Sequence, residues 1–448
     1  MELRQALRIS NYPRLALVGA GGKTTALFHL AREMDAPVVV AATTHLALEQ
    51  LQLADQHFVL QKIEDTNRLD SIALSGVILL TGSLEGERTM GLSDEIMAWL
   101  DQFCGYHSLP LLIEADGSRQ RPLKAPASHE PPIPEFVDTV VVVAGLSGAG
   151  KPLTAEWVHR HERFAELSGL AVGEIITSAA LARVLTHPEG GLKNIPPGAR
   201  RIALLNQADT PELQASAKEL SDLLQSDYQA VVIASLMSVI GRRSSVVHAV
   251  HEPIAGIVLA GGAATRYGEP KQLLPWRGRP LVWHVAKKAL SAGLSPVVVV
   301  GGAYTALLRE ALADLPVTLV DNPDWAEGQS TSVRAGLGAV SAQGGGVIFL
   351  LADQPQVPET LIRTLVEVHA QRRAPIVAPL VKGQRANPVL FDRSTLGDFL
   401  QLSGDVGGRK LFSKYPVEWV PWHNDLPILD IDTPEDYQKL LGTSAMST

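Results

Sequence analysis

Apolar and polar positions along the chain fall into two series of the same kind. In the first, predominantly apolar runs occupy residues 14–18, 38–42, 111–115, 138–144 and 202–205, and a helical stretch at 23–32 follows the first run. Short apolar runs without alternation suit strands covered on both faces, and strands separated by helices pair in parallel. The second series opens with the apolar strand that begins at residue 254 and continues through 297–300, 318–321, 346–351 and 376–379. Helical stretches at 281–290, 330–340 and 358–372 separate these runs. Each series predicts an α/β layer structure, a mostly parallel sheet with helices on both faces and ligands at its carboxyl edge.

Between the two series the alternation pauses. Residues 237–253 contain Gly241, Arg242, Arg243, Ser244 and Ser245 ahead of His248 and His251. That composition reads as a linker, with both histidines structural. The expected organisation is a nucleotide-binding α/β domain over 1–245, a linker over 246–253 and a Rossmann-like α/β domain over 254–448. A chain of 448 residues exceeds what one hydrophobic core usually spans, which fits two domains.

Charge and cysteine content narrow the chemistry. A net charge of −8 argues against a broad nucleic-acid surface, so anionic ligands must be held by local basic clusters. The single cysteine, Cys104, excludes an internal disulfide and a multi-cysteine metal site. The opening MELRQALRIS lacks the apolar run of a signal peptide, and no stretch reads as a membrane span. A cytoplasmic protein without membrane partners is expected.

In the first domain the strand at 14–18 runs into GAGGKTT, residues 19–25. Gly19, Gly21 and Gly22 allow backbone amides to approach a phosphate, Lys23 supplies positive charge, and Thr24 or Thr25 offers a hydroxyl to Mg²⁺. The run is shorter than the common phosphate loop, since Leu17 stands where that loop has its first glycine, and it resembles the GxxGKTT loop of Mur-type ligases. The strand at 38–42 ends in Thr43, Thr44 and His45, and His45 is either a ligand contact or an ordinary surface residue. The strand at 111–115 delivers Glu114 and Asp116, of which Asp116 is chosen as the metal or water-orienting carboxylate. Arg119, Arg121 and Lys124 form a basic loop after it. Pro152 follows Gly150 and Lys151, which rules out a second phosphate loop there. Asn206 and Asp209, in NQAD, are similar to the base-reading NKxD element of GTPases, with Gln207 in the lysine position. Together these pieces, with PLKAP, HEPPIP and GKPL, resemble the YqeC-type family of selenium-dependent hydroxylase accessory proteins over roughly residues 10–240. The resemblance implies a part in maturing a molybdenum hydroxylase, its client.

In the second domain the first strand ends in Leu259, Ala260, Gly261 and Gly262, with Arg266, Gly268 and Lys271 beyond. Two adjacent glycines admit phosphate oxygens to backbone amides, while Arg266 and Lys271 supply charge at two depths. The alternative is a plain strand-to-helix turn with solvated basic residues. Asp353 closes the strand at 346–351, and Asp432 lies in LDIDTPEDY; both are expected to ligate Mg²⁺. Part of that last acidity, including Asp430, suits helix capping. Gly328, Ser330 and Ser332, with Thr331, open a helix and serve either as a phosphate seat or as a cap. The loops at 383–388, with Asn387, and 404–409 are candidates for the second substrate.

LLPW, NPDWAEGQSTSV, LADQP, GQRANPVLF and LDIDTPEDY, in this order, closely resemble the molybdenum cofactor cytidylyltransferases, MobA-like nucleotidyltransferases, across 254–441. The resemblance implies transfer of CMP from CTP to the terminal phosphate of molybdenum-bound molybdopterin, with release of pyrophosphate. Ala260-Gly261-Gly262 is the form usual in guanylyl-transferring relatives, which leaves CTP and GTP both open. Ala264, Tyr267 and Asn387 also depart from the usual pattern, the last standing where histidine is frequent. The other readings are a sugar-phosphate nucleotidyltransferase and a nucleotide-gated cofactor carrier.

Overall fold

Valine, leucine and isoleucine runs that cannot face water become the central strands of two sheets. The computed structural model describes every residue except 36, 240–241, 263–269, 342–343, 430, 432 and 444–448. The chain divides into two compact units, residues 1–251 and 252–448. Strands are numbered below within the two large sheets only.

In the first unit the strands are β1 Arg14–Gly19, β2 Val38–Ala42, β3 Gln56–Val59, β4 Val77–Thr81, β5 Leu111–Glu114, β6 Thr139–Gly145, β7 Arg200–Asn206, β8 Ala230–Val239 and β9 Arg242–His251. Their order across the sheet is β9-β8-β7-β6-β1-β5-β2-β4-β3. All neighbours are parallel except β8 and β9. From β1 the chain moves to one side of the sheet, and from β6 to the other, so the order reverses beside the carboxyl end of β1. Open sheets place their ligand crevice at such a reversal. Leu15, Ala16, Leu17 and Val18 of β1 are at most 3% exposed, so this strand is a rigid floor for the turn that follows.

The expected linker does not hold. Arg242–His251 is a strand paired antiparallel with Ala230–Val239, and the division between units falls after His251. The signal was masked because the pairing register shifts at Ile233/Ala234, which breaks the simple alternation of buried and exposed residues. His248 bonds Ser235 Oγ across that pair at 2.9 Å, a structural role as expected.

In the second unit the strands are β10 Ile254–Leu259, β11 Val297–Gly301, β12 Thr318–Asp321, β13 Gly346–Leu351, β14 Ile376–Val381, β15 Gln384–Arg385, β16 Val389–Asp392 and β17 Val417–Trp422. Their order is β12-β11-β10-β13-β16-β14-β15, with β17 alongside β14. The pairs from β12 to β13 are parallel, as is β14 with β17; β16 is antiparallel to both its neighbours. Apolar layers cover both faces, one including Val282, Val285 and Leu365, the other Val333, Phe391 and Phe399.

Two buried polar pairs fix the helix Glu359–Arg372 to this sheet. His369 Nε2 lies 2.8 Å from Asp392 Oδ2 at the end of β16. Arg373, just past the helix, donates to Glu252 at 2.6 Å, with 4% and 0% of the two side chains exposed. Among the described residues no helix is long and apolar enough to cross a membrane.

Candidate active site and phosphate loop

In the second unit β10 ends at the floor of an open cleft of about 550 Å³ lined by Ala260, Gly261, Gly262, Lys271, Ser332 and Asp353. The register explains the meeting. Leu259 pairs with Val300 on one side and with Leu351 on the other, so the turn after β10 and Asp353 after β13 leave the sheet together. A side chain on Gly302 would strike Gly261 O at 2.5 Å, so backbones pack directly on one side of the turn. Among the described residues nothing lies within 4 Å of where a Cβ on Gly262 would stand.

Lys271 Nζ lies 3.2 Å from Asp353 Oδ2 and donates to Ile431 O at 2.8 Å. The expected cation and carboxylate therefore share one side of the sheet. Arg266 and Asp432 lie outside the described residues, although the neighbouring Ile431 carbonyl reaches the cleft through Lys271. Among the described residues no group of three or more His, Cys, Asp or Glu forms a ready-made metal cage. A cation here would use Asp353 and ligand oxygens, as Mg²⁺ commonly does.

Two residues that sequence reasoning passed over organise the cleft. Gln272 is 6% exposed, and its Nε2 donates to the carbonyls of Ala260 at 3.1 Å and Gly262 at 3.2 Å, which pins the glycine turn from behind. Asn322, 3% exposed, donates to Thr331 Oγ1 at 2.9 Å and Ser332 Oγ at 3.0 Å. A buried amide beside a glycine turn or a hydroxyl cluster was the available signal, since such groups stay buried only when bonded.

The expected phosphate seat is reached in part. Gly328 and Ser332 line the cleft, but Ser330 is fully buried and its amide is given to Gly404 O at 3.2 Å. Gly328 has φ 114° and ψ 174°, and a Cβ there would lie 2.5 Å from the carbonyl carbon of Gly404. Next to this cleft, and sharing Leu259, Gln329, Leu351 and Asp405 with it, lies a second one of about 580 Å³. Asn387 lines it with Arg385, Arg409 and Lys410, and the Arg385 guanidinium lies 4.5 Å over the Phe412 ring. It is a basic pocket with an aromatic wall.

In the first unit three glycines shape the turn after β1. A Cβ on Gly19, Gly21 or Gly22 would meet Val143 O at 2.2 Å, Gly145 Cα at 2.3 Å or Asn206 Nδ2 at 2.4 Å, and all three glycines have positive φ. Helix Lys23–Glu33 starts at the loop, with its first turn facing the carboxyl edge. Lys23 is buried, donating to Gly19 O at 2.7 Å and pairing with Asp116 Oδ1 at 3.2 Å. Asp116 Oδ2 accepts from Gly19 N at 3.1 Å and Lys124 Nζ at 2.8 Å. Thr24 donates to Glu114 at 2.8 Å, whereas Thr25, half-buried, takes no part in this network.

Beyond Asp116, Lys124 bonds Glu130 at 2.8 Å, and Arg160 grips both Glu130 oxygens at 2.7 and 2.8 Å. Burial pushes the Glu130 carboxyl up, but the Arg160 and Lys124 bonds outweigh it and hold its pKa down to about 2. Burial and the cations Arg160, Lys124 and Arg119 lower His159 to about 4, so its ring is neutral at pH 7. Asn206 ties the loop down, donating to Gly21 O at 2.8 Å and accepting from Leu236 N at 2.9 Å. Asp209 is exposed, and the exposed His45 bonds Thr89 O at 2.9 Å.

The MobA-like NTP transferase domain matches residues 256–419, and the YqeC protein family matches residues 15–162. The chain is 32% identical over 231 residues to the uncharacterized protein YqeC of Escherichia coli (strain K12), covering 50% of this chain and 87% of that protein. It is 31% identical over 198 residues to nicotine blue oxidoreductase of Paenarthrobacter nicotinovorans, covering 42% and 96%. It is 30% identical over 182 residues to molybdenum cofactor cytidylyltransferase of Escherichia coli (strain K12), covering 40% and 92%.

Proposed function

Because the chain belongs to the YqeC family in its first half and to the MobA-like NTP transferases, a nucleotidyltransferase family, in its second, we propose that it matures the molybdenum cofactor of a molybdenum hydroxylase. The second half transfers CMP from CTP to the terminal phosphate of molybdenum-bound molybdopterin. That phosphate oxygen attacks the α-phosphorus in line, the bond to the bridging oxygen breaks, and pyrophosphate leaves.

The observation that carries this reading is the contact of Lys271 with Asp353, 3.2 Å apart, in a cleft floored by Gly261 and Gly262. Lys271, with Arg266, offsets charge developing on the triphosphate, and the glycine amides hold its oxygens. Asp353 and Asp432 would hold Mg²⁺, which neutralises and orients the triphosphate. The pocket of Arg385, Asn387 and Arg409 suits the anionic acceptor, and the arginine-faced Phe412 ring suits a planar heterocycle. No protein nucleophile is needed, because positioning and charge suffice for in-line displacement.

The first half binds a nucleoside triphosphate at Gly19–Thr25 through the loop amides and Lys23, with Mg²⁺ as the counter-ion it would carry. Asp209 is left as the base-reading residue, because Asn206 is buried and commits its amide to Gly21 O and Leu236 N, which makes it a support of the loop and corrects the expected base contact. A guanylyl-transferring second half is favoured by one feature, Ala260-Gly261-Gly262, and competition between CTP and GTP decides the base. Pyrophosphate release is measured with each NTP, with and without molybdopterin. Release that needs molybdopterin and stops in Asp353→Ala, with the fold intact by circular dichroism, is expected. An active Asp353→Ala enzyme, or release without molybdopterin at the same rate, overturns the assignment.

A further inference from the structure

The turn at 353–358, which leads Asp353 from the end of β13 into the helix Glu359–Arg372, has few hydrogen-bond donors of its own. Pro355 and Pro358 carry no amide hydrogen. Gln354 N donates to Leu351 O at 3.1 Å and Val357 N to Gln354 O at 3.3 Å. Ahead of Asp353 the chain is fixed to the sheet, since Ala352 N donates to Leu259 O of β10 at 3.2 Å. Beyond Asp353 the support comes from two side chains that belong to neither strand.

Lys288, half-buried on the helix Leu281–Ser291, is the first. Its ammonium donates to Pro355 O and, at 2.9 Å, to Val357 O, and it stands 5.7 Å from the centre of the buried Trp276 ring. A head group that normally stays in water has exchanged it for two carbonyls and an indole face. Burial pushes its pKa down to about 8, with Arg277 adding to the shift and Glu359 opposing it. A cavity of about 10 Å³ lies between Lys288, Gln354, Val357 and Pro388, so close packing does not hold the turn there and the ammonium must.

The second is Gln356, 6% exposed, whose Nε2 donates to Leu429 O at 2.6 Å and to Leu426 O at 3.3 Å. Two residues past Leu429, Ile431 O accepts from Lys271, which faces Asp353 at 3.2 Å. The contacts thus run in a ring from Asp353 through its turn to Gln356, then through Leu429 and Ile431 to Lys271 and back.

We infer that Lys288 and Gln356 are positioning residues that set Asp353 against Lys271 by gripping the turn that follows it. Neither side chain lines the nucleotide cleft, so both act through Asp353. The inference rests on the reading of Asp353 as the carboxylate of the transfer site.

The test compares the full chain with its Lys288→Met and Gln356→Leu variants. In hydrogen–deuterium exchange, peptides covering 352–357 should exchange about tenfold faster in either variant, with those of β10 and β13 unchanged. In pyrophosphate release with NTP and molybdopterin, Lys288→Met should lower kcat roughly tenfold and leave KM for the NTP within about twofold, because the glycine turn and Lys271 still hold the triphosphate. The Mg²⁺ concentration for half-maximal release should rise several-fold, which a mere loss of folded protein would not produce. Should Lys288→Met not fold, Gln356→Leu probes the same turn from its other support. Unchanged exchange at 352–357 overturns the inference, and so does a lower kcat with an unmoved Mg²⁺ half-point. An active Asp353→Ala chain, or a parent that releases no pyrophosphate, defeats the transfer reading instead, and the exchange data then still report whether the turn is braced.

Discussion

The side chains that make the second-half cleft usable are not all the ones that would touch a substrate. Lys271 and Asp353 meet at 3.2 Å, but the turn they face is held in shape by Gln272, whose amide binds the carbonyls of Ala260 and Gly262. With both carbonyls held on Gln272, the peptide planes of the turn are fixed before a triphosphate arrives. Gln272→Leu keeps the side-chain volume close and deletes two neutral hydrogen bonds, about 1–3 kcal/mol together. The expected result is a fall in kcat/KM for the NTP of roughly tenfold or more, read by pyrophosphate release, with circular dichroism unchanged. Unaltered kcat/KM would mean that the turn holds its shape without the amide. Charged residues were legible in the sequence because they have few reasons to sit at a strand end. Gln272 and Asn322 were not, because a glutamine or asparagine gives the same signal on a surface as in a buried hydrogen-bonded position, and only burial separates the two.

At the level of elements, the apolar runs read as strands fall within a residue or two of the observed ones, but Val77–Thr81, buried at all five positions, was passed over. The expected runs at 38–42, 318–321 and 346–351 coincide with Val38–Ala42, Thr318–Asp321 and Gly346–Leu351. Strands with few buried positions were missed as well, because their apolar content is diluted. Gln56–Val59 is half-buried throughout, and Val417–Trp422 has one fully buried residue in six. The helix Gln329–Gly338 was legible, but the direction in which its start faces was not. That direction is set by Gly328, in a backbone region open essentially to glycine alone, pressed against Gly404. Ser330 is buried by that packing, while Ser332 comes to the cleft. In Gly328→Ala the new methyl would stand 2.5 Å from backbone, so the turn must move and carry Gln329 and Ser332 with it. Turnover should drop on the order of 10²-fold, since displacements of about 1 Å at a reacting centre cost that much. The melting temperature should fall by only a few degrees, because the sheet cores lie elsewhere. An active, equally stable variant would show that this contact can relax.

Each unit of the whole molecule carries its own sheet, its own core and its own glycine turn at a carboxyl edge, and the division at His251 leaves both intact. Substitutions at sites without shared partners add independently, whereas sites coupled through a common element do not. Lys23 is tied to Gly19 and Asp116, and Lys271 to Asp353 and Ile431, two different sets of contacts. Lys23→Ala should therefore leave the kcat and KM of pyrophosphate release on free molybdopterin within about twofold of the parent, while Lys271→Ala lowers it by about 10²-fold or more. If the first half serves delivery to a hydroxylase apoenzyme, Lys23→Ala should instead slow activation of that apoenzyme when both proteins are mixed with cofactor and nucleotide. A chain in which Lys23→Ala suppresses pyrophosphate release itself would show the two nucleotide sites to be energetically coupled. The first half would then act as a gate on transfer, and its nucleotide would have to be present for the chemistry in the second half to proceed.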